Sequence, residues 1–234
     1  FSIRKLPIPM PAGEDQGLAL RRKAFMQYVN RDLPGMLSAW DSQPRQAVYP
    51  TETALLAIAY AYCGNDKAQL LAGQINTFNP READIIRSII AYREGRNKEA
   101  SHLLSRAFTE MRKDPWTSHP FMVAAFEIAS FLVAVDPAYG REIFQSVKEP
   151  FAMMCFENMR GQAAFEIAAT FSPQDALSQL DSLEPNVPWN RKFLRLRADT
   201  YGRMGHYMAK RAQLDYELFI KNEERQGGKL RQGK

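Results

Sequence analysis

Apolar side chains recur along most of the chain with the period of an α-helix. Segments of about 10 to 17 residues place them at positions i, i+3, i+4 and i+7, which puts them on one face of a helix. Alternating apolar and polar runs are scarce, and the sequence has no Asn-Gly or Asp-Gly hairpin turn. Four predicted helices begin at a capping residue that stands one or two positions before a proline. These capping residues are Asp32, Asn79, Asp136 and Ser172. The pattern predicts an all-α protein.

The helical segments repeat. The stretch 61–71, AYCGNDKAQLL, and the stretch 91–104, AYREGRNKEASHLL, share Ala-Tyr, a Gly, a polar turn ending in Lys, an Ala and a Leu pair. Further copies follow at intervals of 32, 40, 36 and 33 residues when they are aligned on a small residue, which is Ala68, Ala100, Gly140, Ala176 and Ala209. A degenerate earlier copy spans 16–43. The spacing predicts five or six helical hairpins stacked into a curved solenoid.

This pattern resembles the tetratricopeptide repeat (TPR) family from about Gln16 to Phe219, and the Ala100 copy matches best. The family's Trp-x-x-Leu-Gly is missing from every copy. The resemblance implies an all-α, right-handed superhelical solenoid of five to six TPR-like hairpins. We expect this domain over residues 16–220, after an extended linker or strap at 1–15 and before a disordered basic tail at 221–234.

Composition and motifs narrow the function classes. Hydrophobic residues make up 45% and charged residues 24% of the chain, and the net charge of +5 is mild, as in ordinary folded domains. The sequence contains no Gly-x-Ser-x-Gly elbow, GxGxxG or Walker loop. The histidines and cysteines lack metal-ligand spacing. We therefore expect no cofactor, no metal and no catalytic activity of the isolated chain.

A binding surface is the stronger prediction. In the TPR family the first helix of each unit lines the concave face, and the resemblance carries this role to Tyr60, Ile89, Tyr92, Arg93, Ala129, Leu132, Gln162, Phe165, Arg195 and Tyr201. The Lys and Asn set of the family's carboxylate clamp is absent. An aromatic groove with arginines suits a helix or an extended segment of a partner. The alternative is that these aromatic residues form the core between helices.

The region Trp189–Arg211 carries the strongest positive charge. Only Asp199 opposes its seven basic residues, which are Arg191, Lys192, Arg195, Arg197, Arg203, Lys210 and Arg211. A terminal repeat needs a polar outer face, so this cluster is interpreted as a cap. The alternatives are an acidic protein partner, contacted through Arg191 and Arg195, and nucleic-acid phosphates.

Glu127 and Glu166 stand in the apolar sequences AAFEIAS and AAFEIAA. A carboxylate in such a setting more often bonds to a neighbouring helix than acts as an acid or base. An enzyme site using Glu127, Glu166 or Arg195 remains the alternative from another function class. It requires a pocket in which polar groups converge.

The sequence thus predicts a non-catalytic scaffold that binds a protein or peptide segment in its concave groove. The partner can also be a missing domain of the same chain, since the sequence starts at Phe1 with a linker-like stretch. A regulatory domain of a larger enzyme and nucleic-acid binding are the alternatives. We expect a soluble protein, with the cytoplasm slightly favoured over the periplasm and no membrane span.

Overall fold

The computed structural model describes residues 15–114 and 116–232. Within these residues the chain forms twelve α-helices and no strand, so the predicted all-α class is confirmed. The helices are α1 (Gln16–Val29), α2 (Leu33–Asp41), α3 (Pro50–Cys63), α4 (Lys67–Asn76), α5 (Pro80–Arg93), α6 (Asn97–Met111), α7 (His119–Val135), α8 (Pro137–Val147), α9 (Glu157–Ala168), α10 (Pro173–Leu183), α11 (Arg191–Arg203) and α12 (Ala209–Gln232). We call the odd-numbered helices first helices and the even-numbered ones second helices.

The helices belong to two compact units. Among the described residues, unit 1 consists of 15–110 and 116–128, and unit 2 consists of 111–114 and 129–232. Helix α7 begins in unit 1 and ends in unit 2.

In unit 1 each of the helices α1 to α5 packs against its neighbour in the sequence, and α3 also packs against α5. The first helices α3 and α5 carry long unbroken buried runs, at 54–61 and 81–86. Ala68 and Ala100 lie early in the second helices α4 and α6, where both are fully buried. Because these side chains are small, the paired first helix can approach closely.

Unit 2 packs in the same way, with contacts between α8 and α9, α9 and α10, α10 and α11, and α11 and α12. Its aligned small residues Gly140 and Ala176 are buried in the first turns of α8 and α10. The aromatic side chains Phe165 and Phe193 join α9 to α11, with ring centroids 5.0 Å apart.

Four first helices end in the same hydrogen-bonded turn. A residue with positive φ donates its amide to the carbonyl three residues back, and the next amide bonds to the carbonyl five residues back, which is the Schellman motif. The positive-φ residue is Gly64 after α3, Gly95 after α5, Gly205 after α11 and, exceptionally, Arg31 after α1. The motif leads the chain directly into the second helix.

Local signals placed the helix starts correctly. Asp32, Asp136 and Ser172 each accept a hydrogen bond from an amide in the first turn of the following helix, and Asn79 is the residue before α5. Capping side chains satisfy amides that have no partner inside the helix. The predicted starts at these four residues are therefore confirmed.

The two ends of the chain were predicted from composition. The strap at 1–15 lies outside the described residues except for Asp15, which caps α1 by accepting from the Gly17 amide at 2.7 Å. Helix α12 continues to Gln232, so the structure differs from the predicted disordered tail over 221–232. Residues 221–226, KNEERQ, consist mainly of straight-chain side chains that favour helix. Extending an existing helix through them requires no new nucleation.

Candidate functional site

Six of the predicted groove residues are core residues. Tyr60, Ile89, Phe165 and Tyr201 are buried, as are Ala129 and Leu132. The Tyr60 hydroxyl donates to Asp41 at 2.9 Å, and the Tyr201 hydroxyl donates to Glu184 at 3.2 Å. These side chains hold helices together and are not available to a partner, so for them the core alternative is correct.

The other predicted residues keep some exposure. Tyr92 and Gln162 are half-buried, and Arg93 is exposed. The Arg93 guanidinium lies against Gly64 and donates to the Ala61 carbonyl at 3.3 Å, at the end of α3. A side chain at Gly64, in the turn after α3, would therefore displace this guanidinium.

Acidic residues from elsewhere in unit 2 neutralise most of the basic cluster. Five of its seven cations have a carboxylate within 4.0 Å, namely Arg191, Lys192, Arg195, Arg197 and Arg211. Arg197 is buried, with Glu184 and Asp215 on either side. Paired cations release fewer counterions from nucleic acid, so the geometry gives little support to the phosphate-binding alternative. Arg191 and Arg195 remain exposed on α11.

Glu127, noted in the sequence as a charge inside an apolar helix, lies at a pocket in unit 1. The pocket has a volume of about 190 Å³. The end of α1 contributes Tyr28 and Val29, and the turn after it contributes Arg31. Helix α3 contributes Ile58 and Tyr62, and the first half of α7 contributes Glu127. We call this cavity the Glu127 pocket. Three first helices therefore meet around one carboxylate.

The polar groups of the Glu127 pocket converge on that carboxylate. The Arg31 guanidinium forms an ion pair with it, and the Tyr62 hydroxyl donates to its other oxygen at 3.2 Å. The Glu127 side chain is 28% exposed, whereas that of Arg31 is 69% exposed. The carboxylate is thus fixed in the wall of the pocket, and the cation reaches it from the solvent side.

Burial raises the pKa of Tyr62 above its ordinary value, and the negative charge of Glu127 raises that pKa further. The same two causes, in the same order, raise the pKa of Tyr28. Both phenols therefore stay protonated well above neutral pH and present O–H groups beside the carboxylate. The remaining walls are largely apolar and include Leu33 and Val123.

Glu166 lies at a comparable pocket in unit 2. This cavity, the Glu166 pocket, has a volume of about 270 Å³ and is bounded by the end of α7, by α9 with the residues after it, and by α11. The Gln162 amide donates to Glu166 at 2.8 Å, and Lys192 forms an ion pair with it. The Glu166 side chain is 15% exposed and that of Lys192 is 70% exposed. Both units thus hold a half-buried glutamate among first helices, paired with an exposed cation.

A wider cavity of about 580 Å³ lies in unit 1 beside the turns after α3 and α5. Its arginines are already bonded within the unit. Arg87 donates to Asn76 at 3.1 Å, Arg93 caps α3, and Arg96 pairs with Glu94 and Glu99. The positive and negative charges around this cavity balance locally, and we therefore regard the two glutamate pockets as the better candidate sites.

Sequence reasoning identified the two glutamates but missed Arg31, Tyr28 and Tyr62. One signal was present: Arg31 stands 33 residues before Gly64, which itself stands 31 residues before Gly95. An arginine at a turn position that the neighbouring copies give to glycine departs from the chain's own pattern.

Comparison with other proteins assigns no family to this arrangement. The chain has no match among the protein-family models, the curated proteins or the solved structures with which it was compared. Along the described part of the chain, no helix has both the length and the apolar character that a membrane span requires. Within 15–114 and 116–232, no group of three or more His, Cys, Asp or Glu side chains is placed to hold a metal ion.

Proposed function

We propose that this protein is a non-catalytic helical-repeat scaffold, similar to the TPR family, that binds a protein or peptide segment on the faces of its first helices. The proposal includes the arrangement that the resemblance implies, a right-handed superhelical solenoid of five to six hairpins. Packing between sequence neighbours, and of α3 against α5, supports it, because a stacked repeat makes its contacts with adjacent units.

The observation that carries the proposal is the position of the two glutamate pockets. Both are cavities lined largely by first helices, the α1, α3 and α7 helices in unit 1 and the α7, α9 and α11 helices in unit 2. Each cavity has room for one or two side chains. Both volumes lie below the usual range for a pocket that binds a drug-sized ligand. Small pockets on a helical face fit the anchoring side chains of a bound segment.

The test is to fill the pockets. Peptides are selected on the whole immobilised chain from a displayed library of random sequences, and their dissociation constants are measured by fluorescence anisotropy. The variants are Val123→Phe in the Glu127 pocket and Ala134→Phe in the Glu166 pocket. Ser178→Phe, on the exposed face of the second helix α10, is the matched control. Each pocket-filling variant should weaken binding about tenfold or more, since a tenfold change is about 1.4 kcal/mol and an anchoring hot spot contributes about 2 kcal/mol or more.

Binding that survives both pocket-filling variants would show that the segment lies elsewhere on the surface. Failure to select any peptide above background would contradict the function itself. Circular dichroism of each variant checks that the helices are intact, so that a loss of binding is not a loss of fold.

A further inference from the structure

We infer that the Glu127 pocket binds an arginine or lysine side chain of the partner segment, in the place that Arg31 takes in the free chain. This inference rests on the proposed function and specifies the chemistry of its partner. It assigns Arg31 as an internal competitor, which covers the carboxylate until a bound segment supplies a cation of its own.

The pocket has the two parts that a long cationic side chain needs. Val29, Ile58 and Val123 offer apolar wall, against which the methylene stem of lysine or arginine packs while its head stays polar. Glu127 offers a carboxylate, and Tyr62 holds the second carboxylate oxygen at 3.2 Å. Tyr28 and Tyr62 line the same cavity, and aromatic side chains attract cations.

Other occupants fit less well. An anionic side chain would face the charge of Glu127. A neutral apolar side chain that displaced Arg31 would leave a half-buried carboxylate without its counterion, which is unfavourable. A cation replaces the charge and the hydrogen bonds that Arg31 provides, so exchange preserves the electrostatics of the pocket.

Arg31 is suited to be displaced. Its side chain is 69% exposed, and ion pairs with exposed partners contribute little to stability. Its backbone has a φ of 62°, in the left-handed region where a side chain is unfavourable and glycine is preferred. Gly64 and Gly95 occupy the same turn in the next copies. The turn itself does not require an arginine, which points to a role for its side chain.

The second unit repeats the design. Glu166 is paired with the exposed Lys192 and held by the Gln162 amide. The motif Ala-Ala-Phe-Glu-Ile-Ala surrounds both glutamates. A half-buried glutamate covered by an exposed cation is thus present in both units.

The experiment measures binding of N-acetyl-arginine amide to the full chain by NMR titration, with N-acetyl-citrulline amide as the neutral probe of the same shape. Arg31→Gly removes the competitor and leaves a residue that the turn accepts. We expect Arg31→Gly to bind the arginine probe about fivefold more tightly than the unchanged chain. In the unchanged chain the probe must first break the exposed ion pair of Arg31, and about fivefold in affinity corresponds to one such pair. Adding Glu127→Gln should abolish this gain, and the citrulline probe should bind neither form.

The control is Lys67→Ala, which opens another pair of the same kind in unit 1. Lys67 lies 3.1 Å from Asp41, and Asp41 accepts from a tyrosine hydroxyl as Glu127 does, but nearly half of the Asp41 side chain is exposed. Lys67→Ala should leave affinity for the arginine probe unchanged. An equal gain with Lys67→Ala would show that any freed carboxylate suffices.

Equal affinity of the Arg31→Gly and unchanged chains for the arginine probe would overturn the inference. If selected peptides nevertheless bind and are lost on pocket filling, the scaffold function stands and only the cation assignment fails. If the arginine probe binds as expected but no peptide is ever selected, the pocket is a small-cation site and the scaffold function fails.

Discussion

Replacing Arg197 by methionine tests whether the basic cluster of α11 is part of the folded core of unit 2. The Arg197 side chain is 2% exposed. Its Nε donates to Glu184 at 2.6 Å, and its Nη1 donates to Asp215 at 2.9 Å. The guanidinium carbon lies 5.6 Å from the centre of the Tyr201 ring. Methionine retains much of the apolar stem and removes the charge.

The expected loss follows from the carboxylates that remain. Removing one partner of a buried ion pair typically costs about 3–5 kcal/mol. The lower end applies here, because Glu184 still accepts from the Tyr201 hydroxyl at 3.2 Å and Asp215 still accepts from Arg211 at 3.0 Å. We therefore expect Arg197→Met to lower the free energy of unfolding of unit 2 by about 3 kcal/mol.

Urea unfolding followed by tryptophan fluorescence measures this loss. The chain has three tryptophans; Trp189 lies in unit 2, and Trp40 and Trp116 lie in unit 1. In a background with Trp40→Phe and Trp116→Phe, the signal reports unit 2. With a urea slope of about 1–3 kcal/mol/M, the midpoint should fall by roughly 1–3 M.

Arg211→Met is the matched control, because Arg211 donates to the same Asp215 but its side chain is 71% exposed. That substitution should cost less than about 1 kcal/mol. A loss below about 1 kcal/mol for Arg197→Met as well would refute the reasoning. It would mean that the buried arginine contributes no more than a surface pair and that the cluster is an exposed cap.

Two further stability predictions concern unit 1. Gly64→Ala should cost more than Gly95→Ala in urea unfolding, although both have positive φ and each incurs roughly 1–2 kcal/mol of backbone strain. A Cβ at Gly64 would lie 1.9 Å from an Arg93 guanidinium nitrogen, so Arg93 would have to move and give up its hydrogen bond to the Ala61 carbonyl. A Cβ at Gly95 meets nothing within 4 Å, and equal losses would contradict this prediction. Burial raises the pKa of Glu82, although the Ser118 amide, 2.7 Å away, opposes that rise. The contribution of Glu82 to stability is therefore lost as pH rises through its folded pKa, and urea unfolding should show that Glu82→Gln stabilises the protein at about pH 7 but not at about pH 4; a pH-independent difference would contradict it.

Helix positions could be predicted because their signals are local. A cap such as Asp136 directly before Pro137 fixes the start of α8 without reference to the rest of the fold. The aligned small residues could be predicted for a related reason. A residue such as Ala100 must sit where a second helix meets its own first helix, only a few residues away in the chain.

Which face of each first helix is buried could not be predicted in the same way. Tyr60 and Tyr92 occupy the same place in consecutive copies, yet Tyr60 is buried and Tyr92 is half-buried. An aromatic residue at helical spacing suits both the core and a groove, and the decision depends on contacts with other helices. The distinction therefore lies outside the local pattern.

The basic cluster shows the same limit for charge. Locally, Asp199 alone opposes seven cations. The carboxylates that pair with Arg191, Lys192 and Arg197 stand 32, 26 and up to 18 residues away in the sequence. A count of charges along a window cannot include them, so the sequence exaggerates the positive field of α11.

The similar stretches of the sequence offer a standard of comparison within the chain itself. Turns that share one geometry should carry the residue which that geometry favours. The turns after α3, α5 and α11 all carry glycine. The turn after α1 keeps the hydrogen bonds of that motif but carries Arg31. Local rules that are broken without a structural gain in the turn itself are expected at functional positions. The ion pair to Glu127 is the contact that the exception makes, and for this reason the Glu127 pocket is the place to look first for a partner.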